Sequence, residues 1–364
     1  MNNELNLLYE NCMICPRKCR VDRTKGERGF CKASGTIAAA RAALHFWEEP
    51  CISGETGSGA VFFSGCNMGC VFCQNYEIAH DEVKKEISVD RLSDIFLELQ
   101  DKKAANINLV TPTHFVPSII KALEIAKDKG LKIPVVYNTS AYENVDTIKM
   151  LDGLVDIYLP DCKYYNSELS FKYSKARDYF EKALPAIEEM VRQTGAPTFY
   201  YPHVHPGISR KEACQKSLNA DEYNDIVTGE DSSLDDVTQT EKIDQDSMNY
   251  DISGQNESSD YSGPLMKKGT IVRHLLLPGH LDDSMNVVNR IHNRFGNDIY
   301  ISIMNQYTPM PHSAAFPELT RTVNVADYDK LVDYAIDIGV EYAFIQGDET
   351  DKSSFIPAFD YSGL

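Results

Sequence analysis

This chain has no apolar run approaching the ~20 residues that span a bilayer. Its start, MNNELNLLYENC, is polar and acidic, without the apolar core of a secretion signal. The protein is therefore expected in the cytoplasm and off membranes. Positive charge is also scarce: 36 Lys and Arg stand against 54 Asp and Glu, for a formal net charge of -18. No basic stripe interleaved with aromatics is present, which excludes a nucleic-acid groove. In a reducing compartment the ten cysteines do not read as disulfides. Clustered thiols there are better read as metal ligands or reactive groups.

What is present suits a large folded protein. With 364 residues, 43% hydrophobic and 25% charged, the chain can bury a sizeable core as one large α/β domain with additions, or as two domains. Much of the negative charge is local. Ser217 to Pro264 holds 13 Asp or Glu against one Lys, which accounts for -12 of the -18 and leaves about -6 for the other 316 residues. That stretch has no sustained period and is rich in Ser, Asp, Asn and Gly, so it cannot bury enough apolar surface to offset its chain entropy. A mobile, disordered acidic insertion is expected over about 200–266. A docking arm for a basic partner is its functional alternative.

From residue 59 onward, short β-branched or aromatic runs alternate with helical patterns, the mark of βα units around a parallel sheet. Strands are predicted at AVFFSG (60–65), INLVT (107–111), IPVVYNT (133–139), DIYLPD (156–161), TIVRHLLLPG (270–279), YISIMNQYT (300–308) and EYAFIQ (341–346). Ser88 is a predicted helix N-cap and Gly130 a predicted helix end; further helices are expected over about 176–194 and from near Asp282 and Asn324. The carboxyl ends of such strands build the active site of barrel and open α/β folds. Residues 1–55 read as an N-terminal Cys-rich extension and 56–364 as the core.

Eight of the ten cysteines precede residue 74, and Cys162 and Cys214 stand alone. Cys66, Cys70 and Cys73 lie in GCNMGCVFCQN with the spacing C-x3-C-x2-C. Soft thiolates in a tight cluster select zinc, copper(I) or iron-sulfur centres. Structural zinc and most [4Fe-4S] clusters want a fourth ligand, so three cysteines leave one metal position open for chemistry. A zinc site borrowing a distant ligand is the structural alternative. Further upstream, Cys12, Cys15, Cys19 and Cys31 have the spacing C-x2-C-x3-C-x11-C, with Gly26 and Gly29 permitting tight turns. Four ligands describe a closed site, for zinc or a second iron-sulfur cluster. Cys51 reads as a buried, inert thiol, with a ligand or redox role as the alternative.

The three-cysteine motif, preceded by the strand AVFFSG and followed by Gln74 and Asn75, resembles the radical SAM superfamily. The wider pattern, with ARAALHFWEEPCISG and VTPTHFVP, is similar to an uncharacterised subgroup related to pyruvate formate-lyase activating enzyme. The resemblance covers roughly residues 10–198 and 268–358. It implies a partial (β/α)6 TIM-like barrel of radical SAM type. A [4Fe-4S] cluster on Cys66, Cys70 and Cys73 would bind S-adenosylmethionine (SAM) through its open iron. Reductive cleavage would then give a 5′-deoxyadenosyl radical that takes hydrogen from a substrate.

The same resemblance implies SAM contacts. Phe72 would pack near the adenine, Asn75 would follow the cluster loop, and Asn138 and Thr139 stand where an Asp-Thr pair ends a strand. Asp161 and Lys163 match a strand end, and Arg273 matches the residue that pairs with the SAM carboxylate. The Gly-Gly-Glu stretch that receives the SAM ammonium in many relatives is missing, so Thr111 and Thr113 are candidates for that role by position. Gln306 or Asn305 stands where activating enzymes place a His, with His312 read as a loop residue. The resemblance further implies a flavodoxin- or ferredoxin-type reductant and a glycyl-radical enzyme, another peptide or a metabolite as substrate. A non-catalytic iron-sulfur carrier or zinc-stabilised adaptor is the alternative of another class.

Overall fold

A computed structural model describes residues 2–201, 263–346 and 357–364. Its strands, in chain order, are β1 (Ile37–His45), β2 (Ser58–Phe63), β3 (Lys85–Ile87), β4 (Ile107–Val110), β5 (Val135–Thr139), β6 (Ile157–Pro160), β7 (Thr198–Tyr200), β8 (Leu265–Leu275), β9 (Tyr300–Met304) and β10 (Ala343–Ile345). They form one sheet in the order β10-β9-β8-β6-β5-β4-β2-β1-β3, with β7 paired to β8. From β2 to β10 the neighbours on that path run parallel and follow chain order, while β1 pairs antiparallel with β2 and β3. The result is an α/β fold around a mainly parallel sheet that stays open, with β10 and β3 at its edges.

All seven sequence-predicted strands are present. Their residues alternate between two apolar layers, as the two-residue strand period requires. Val135, Tyr137 and Tyr158 pack outward with Val61, Leu109 and the helices Val89–Asp101 and Val116–Asp128. Val136, Ile157, Leu159 and Ile271 pack on the opposite, inner face. Ser88 caps the first helix, its hydroxyl oxygen accepting from the Arg91 amide at 3.0 Å, and Asn324 caps Val325–Asp337 in the same way through the Ala326 amide at 2.9 Å. Gly130 turns the chain out of the second helix at φ +105°.

β1, β3 and β7 are strands that the sequence did not announce. IAAARAALH in β1 is rich in Ala, a helix former, and is strand only because it pairs along β2. β1 also brings part of the N-terminal extension into the sheet. β8 begins at Leu265, where it pairs with Tyr200 of β7, so both margins of the expected 200–266 insertion are paired strand. The acidic stretch itself, residues 202–262 with Cys214, lies outside the described residues. Among the described residues no helix is long and apolar enough to cross a membrane.

Residues after β1 fill the inner face. The short helix Pro50–Ser53 buries Cys51 and Ile52 against Val136, Ile157, Leu159 and Ile271, and Asn106 at the start of β4 donates to the Ile52 carbonyl at 2.7 Å. Cys51 is thus a buried packing residue, its thiol pushed up by burial and by the neighbouring Glu49.

Candidate functional site

The loop leaving β2 carries GCNMGCVFCQN. Gly65 and Gly69 adopt φ +90° and +62°, conformations that favour glycine. At Gly65 a side chain would also collide with the Cys31 carbonyl. Asn67 anchors the loop by donating to the Tyr142 carbonyl at 2.7 Å. The Met68 amide points at Cys66 Sγ (3.4 Å), and the Ser174 hydroxyl donates to Cys70 Sγ at 2.9 Å. Phe72 is buried edge-on among Tyr164, Tyr173 and Tyr307, with ring centroids 6.3, 6.5 and 6.4 Å away.

The three cysteines stand together. Cys70 is buried, and Cys66 and Cys73 are half-buried. Burial pushes all three thiols up; Cys70 adds to the shift at Cys66, Cys70 and Cys66 add to it at Cys73, and Lys163 counters it at each. Buried thiols this close share negative charge most readily on a metal centre, which binds them as thiolates. This donor set fits an iron-sulfur cluster.

Beside it runs a charged row on the inner face. Lys163 donates to Asp161 at 2.7 Å. Arg273 on β8 spreads its fork over three acceptors: Asp161 Oδ1 (2.7 Å), Glu48 Oε2 (2.9 Å) and Asn138 Oδ1 (2.6 Å). Glu48 Oε1 in turn accepts from Asn108 at 2.9 Å and Asn138 at 3.2 Å. The order of the strands explains the convergence, since Asn108, Asn138, Asp161 and Arg273 sit on or just after successive parallel neighbours. Burial opposes every charge here, yet Arg273 and Lys163 hold Asp161 below the usual carboxylate range, while Asp161 and its neighbours hold Arg273 and Lys163 above theirs.

Asn138, Asp161, Lys163 and Arg273 are thus brought together next to Cys66, Cys70 and Cys73. Gln306 lies across from the cysteine loop, its carbonyl accepting from Gln74 at 2.9 Å while its side chain meets Gln346 at 3.1 Å. Asn75 opens the helix Tyr76–Ala79 without a side-chain cap bond. Thr113 and Thr139 point elsewhere: both hydroxyls donate to Glu143 Oε1 at 2.6 Å, joined by the Tyr137 hydroxyl at 3.2 Å. Thr139 follows Tyr137 in the alternation and so faces outward, opposite to Asn138. Thr111, at φ +58°, gives its amide to the Asn138 carbonyl.

Sequence reasoning missed four contributors. Glu48 was visible in HFWEEPC, but only tertiary packing sets it against Arg273. Asn108 is a polar residue within an apolar strand, a signal that was available. Arg17, between two N-terminal cysteines, donates to the Asn67 and Ser174 carbonyls at 2.8 and 2.9 Å and stacks on Phe30, its guanidinium 3.8 Å from the ring centroid. His312 contacts the Cys73 carbonyl at 3.1 Å and stacks on Tyr76, so it is part of this loop's packing.

The other four cysteines, Cys12, Cys15, Cys19 and Cys31, line one cavity with Arg23 and His114. Gly29 is tight against Cys19, where a Cβ would lie 2.7 Å from its sulfur. Burial pushes Cys15 up to about 12, with Cys31 and Cys12 contributing. Among the described residues no three Cys, His, Asp or Glu side chains, here or in the Cys66 loop, are drawn closely enough to hold one metal ion; the amino-terminal four surround a space.

Two comparisons bear on this geometry. Residues 60–215 match the family model described as the radical SAM superfamily. An uncharacterised protein of Methanocaldococcus jannaschii is 35% identical over 183 residues, covering 48% of this chain and 52% of that protein. The match therefore spans about half the length of the curated relative.

Proposed function

We propose, from the match of residues 60–215 to the radical SAM superfamily, that the chain is a radical SAM enzyme that cleaves S-adenosylmethionine reductively. The observation that supports this reading is the trio Cys66, Cys70 and Cys73 beside the row Lys163, Asp161 and Arg273 at the carboxyl ends of parallel strands. When bound, a [4Fe-4S] cluster supplies the electron that splits the sulfonium into methionine and a 5′-deoxyadenosyl radical, which takes a hydrogen atom from the substrate.

Cys66, Cys70 and Cys73 hold that cluster in this reading. SAM brings a carboxylate and an ammonium, and the charged row offers both complements. Arg273 already serves three acceptors and orders Asp161, Glu48 and Asn138. Lys163 gives one bond to Asp161 and retains two donors, so it is the residue that meets the SAM carboxylate. Asp161 and Glu48 supply negative charge for the ammonium, replacing the absent Gly-Gly-Glu stretch. Phe72, within its aromatic cage, shields the site from water.

The hydrogen donor belongs to a peptide or small molecule, and activation of a glycyl-radical enzyme by way of a flavodoxin- or ferredoxin-type reductant is the specific form we propose. The amino-terminal cysteine cluster binds a second metal centre. The test is anaerobic: load iron and sulfide, reduce with dithionite, add SAM and quantify 5′-deoxyadenosine. Formation of deoxyadenosine that Cys70→Ala abolishes is the expected outcome. Equal turnover by Cys70→Ala would sink the mechanism. A glycine-centred doublet on mixing with a candidate partner would identify the activase role, and deoxyadenosine release without one would favour another substrate.

A further inference from the structure

The amino-terminal cavity contains a donor that cysteine spacing did not reveal. His114, just beyond β4, is buried and lines the cavity with the four cysteines. Its Nε2 lies 2.8 Å from the Ser64 carbonyl oxygen. A carbonyl only accepts, so Nε2 carries the proton and Nδ1 is left as a bare lone pair in the neutral ring. That Nδ1 is buried without a hydrogen-bond partner. A histidine that donates one ring nitrogen to a backbone carbonyl while leaving the other unpartnered beside thiols has the arrangement of a metal ligand.

The thiols sort themselves by burial. Cys12, Cys15 and Cys31 are buried, whereas Cys19 is half-exposed and accepts the Phe30 amide at 3.3 Å. The three buried thiols, on the cavity that His114 also lines, form the inner group. Three thiolates and one imidazole complete a four-ligand shell, for zinc or for an iron-sulfur cluster.

We infer that Cys12, Cys15, Cys31 and His114 form a thiophilic metal site, with Cys19 at its rim, that clamps the amino-terminal segment onto the stem of the Cys66 loop. The clamp has a defined route. His114 holds the carbonyl of Ser64, the peptide that leads into Gly65 and Cys66. Gly65 packs on the Cys31 carbonyl, and Arg17 reaches the Asn67 and Met68 carbonyls at 2.8 and 3.4 Å. Metal binding gathers side chains that now surround the space, and it fixes the loop that presents Cys66. The clamping role rests on the reading of Cys66, Cys70 and Cys73 given above; the site itself does not.

The test uses the full chain with Cys66, Cys70 and Cys73 all replaced by Ala, so that metal bound elsewhere is counted alone. As isolated anaerobically, this variant should retain zinc, or iron with sulfide, at one site per chain, and elemental analysis distinguishes the two sources. After metal removal, Co(II) should bind with the absorption of a tetrahedral site of three sulfurs and one nitrogen. Adding His114→Ala should weaken Co(II) binding at least tenfold and change the spectrum, His114→Cys should restore tight binding with a four-sulfur spectrum, and Cys19→Ser should leave both unchanged. Circular dichroism confirms that each variant is folded. No bound metal in the folded variant, or a spectrum lost with Cys19→Ser and unchanged in His114→Ala, would overturn the assignment. Failure of SAM cleavage by the unmodified chain would remove the reading of the Cys66 loop and leave this site standing.

Discussion

Arg273 and Lys163 are both cations of the charged row, but the structure gives them different work. The Arg273 side chain is 12% exposed and neutralises Glu48 and Asp161, which are 8% and 20% exposed. Removing it leaves Glu48 without its cation and Asp161 with Lys163 alone, so Arg273→Ala is expected to lower stability by ~3–5 kcal/mol in urea unfolding. Lys163→Ala should leave the fold intact and weaken SAM binding by roughly tenfold, as the loss of one charged hydrogen bond predicts, measurable by calorimetry on the cluster-loaded protein. Glu143 makes a separate prediction. Burial raises its carboxyl from 4.5 to about 7 against the pull of the Thr113, Thr139 and Tyr137 hydroxyls. The folded state therefore holds a proton that the unfolded chain releases near pH 4.5, and stability falls as pH rises from there through about 7. Glu143→Gln should remove that slope, gaining up to ~3 kcal/mol over the parent by pH 8. Parallel pH profiles for the two proteins in thermal unfolding would refute it.

At the scale of elements, the β2 loop is held from several sides, by Ser174, by Tyr142, by Arg17 and by the Cys31 carbonyl packed on Gly65. Gly65→Ala combines a disfavoured φ of +90° with a collision against backbone that cannot give way cheaply. It should lower thermal stability and reduce iron retained at Cys66, Cys70 and Cys73, both readable on one preparation. Motif and element were legible to different degrees. The cysteine spacing announced the loop, because metal ligands must be close in sequence when a single turn presents them. The partners that hold the loop come from residues 17, 31, 142 and 174, and no local pattern connects those positions.

For the whole molecule, the pairing of Tyr200 with Leu265 sets the two ends of the acidic stretch side by side at the margin of the sheet. Strand neighbours lie ~5 Å apart, a span that a short turn closes. Replacing residues 202–262 with a Gly/Ser turn should therefore leave the fold, the cluster and SAM cleavage intact, with a melting temperature near that of the parent. Loss of cluster binding in the shortened chain would show that the stretch supports the site.

The sequence by itself determined the succession of parallel strands, the cap at Ser88, the start of a helix near Asn324 and the cysteine trio, since hydrophobic period, capping chemistry and ligand spacing are local properties. It also placed Asn138, Asp161, Lys163 and Arg273 at strand ends. Only the tertiary structure decided which of these face one another. The two-residue alternation sends Asn138 inward and Thr139 outward, and strand order alone lets Arg273 join Asp161, Glu48 and Asn138. The Ala-rich β1 carries helix propensity overridden by pairing along β2, and Glu48 enters the charged row because the chain after β1 fills the inner face of the sheet. His114 beside the amino-terminal cysteines is the same lesson: the ligand comes from another strand's end, and folding alone closes the gap in sequence.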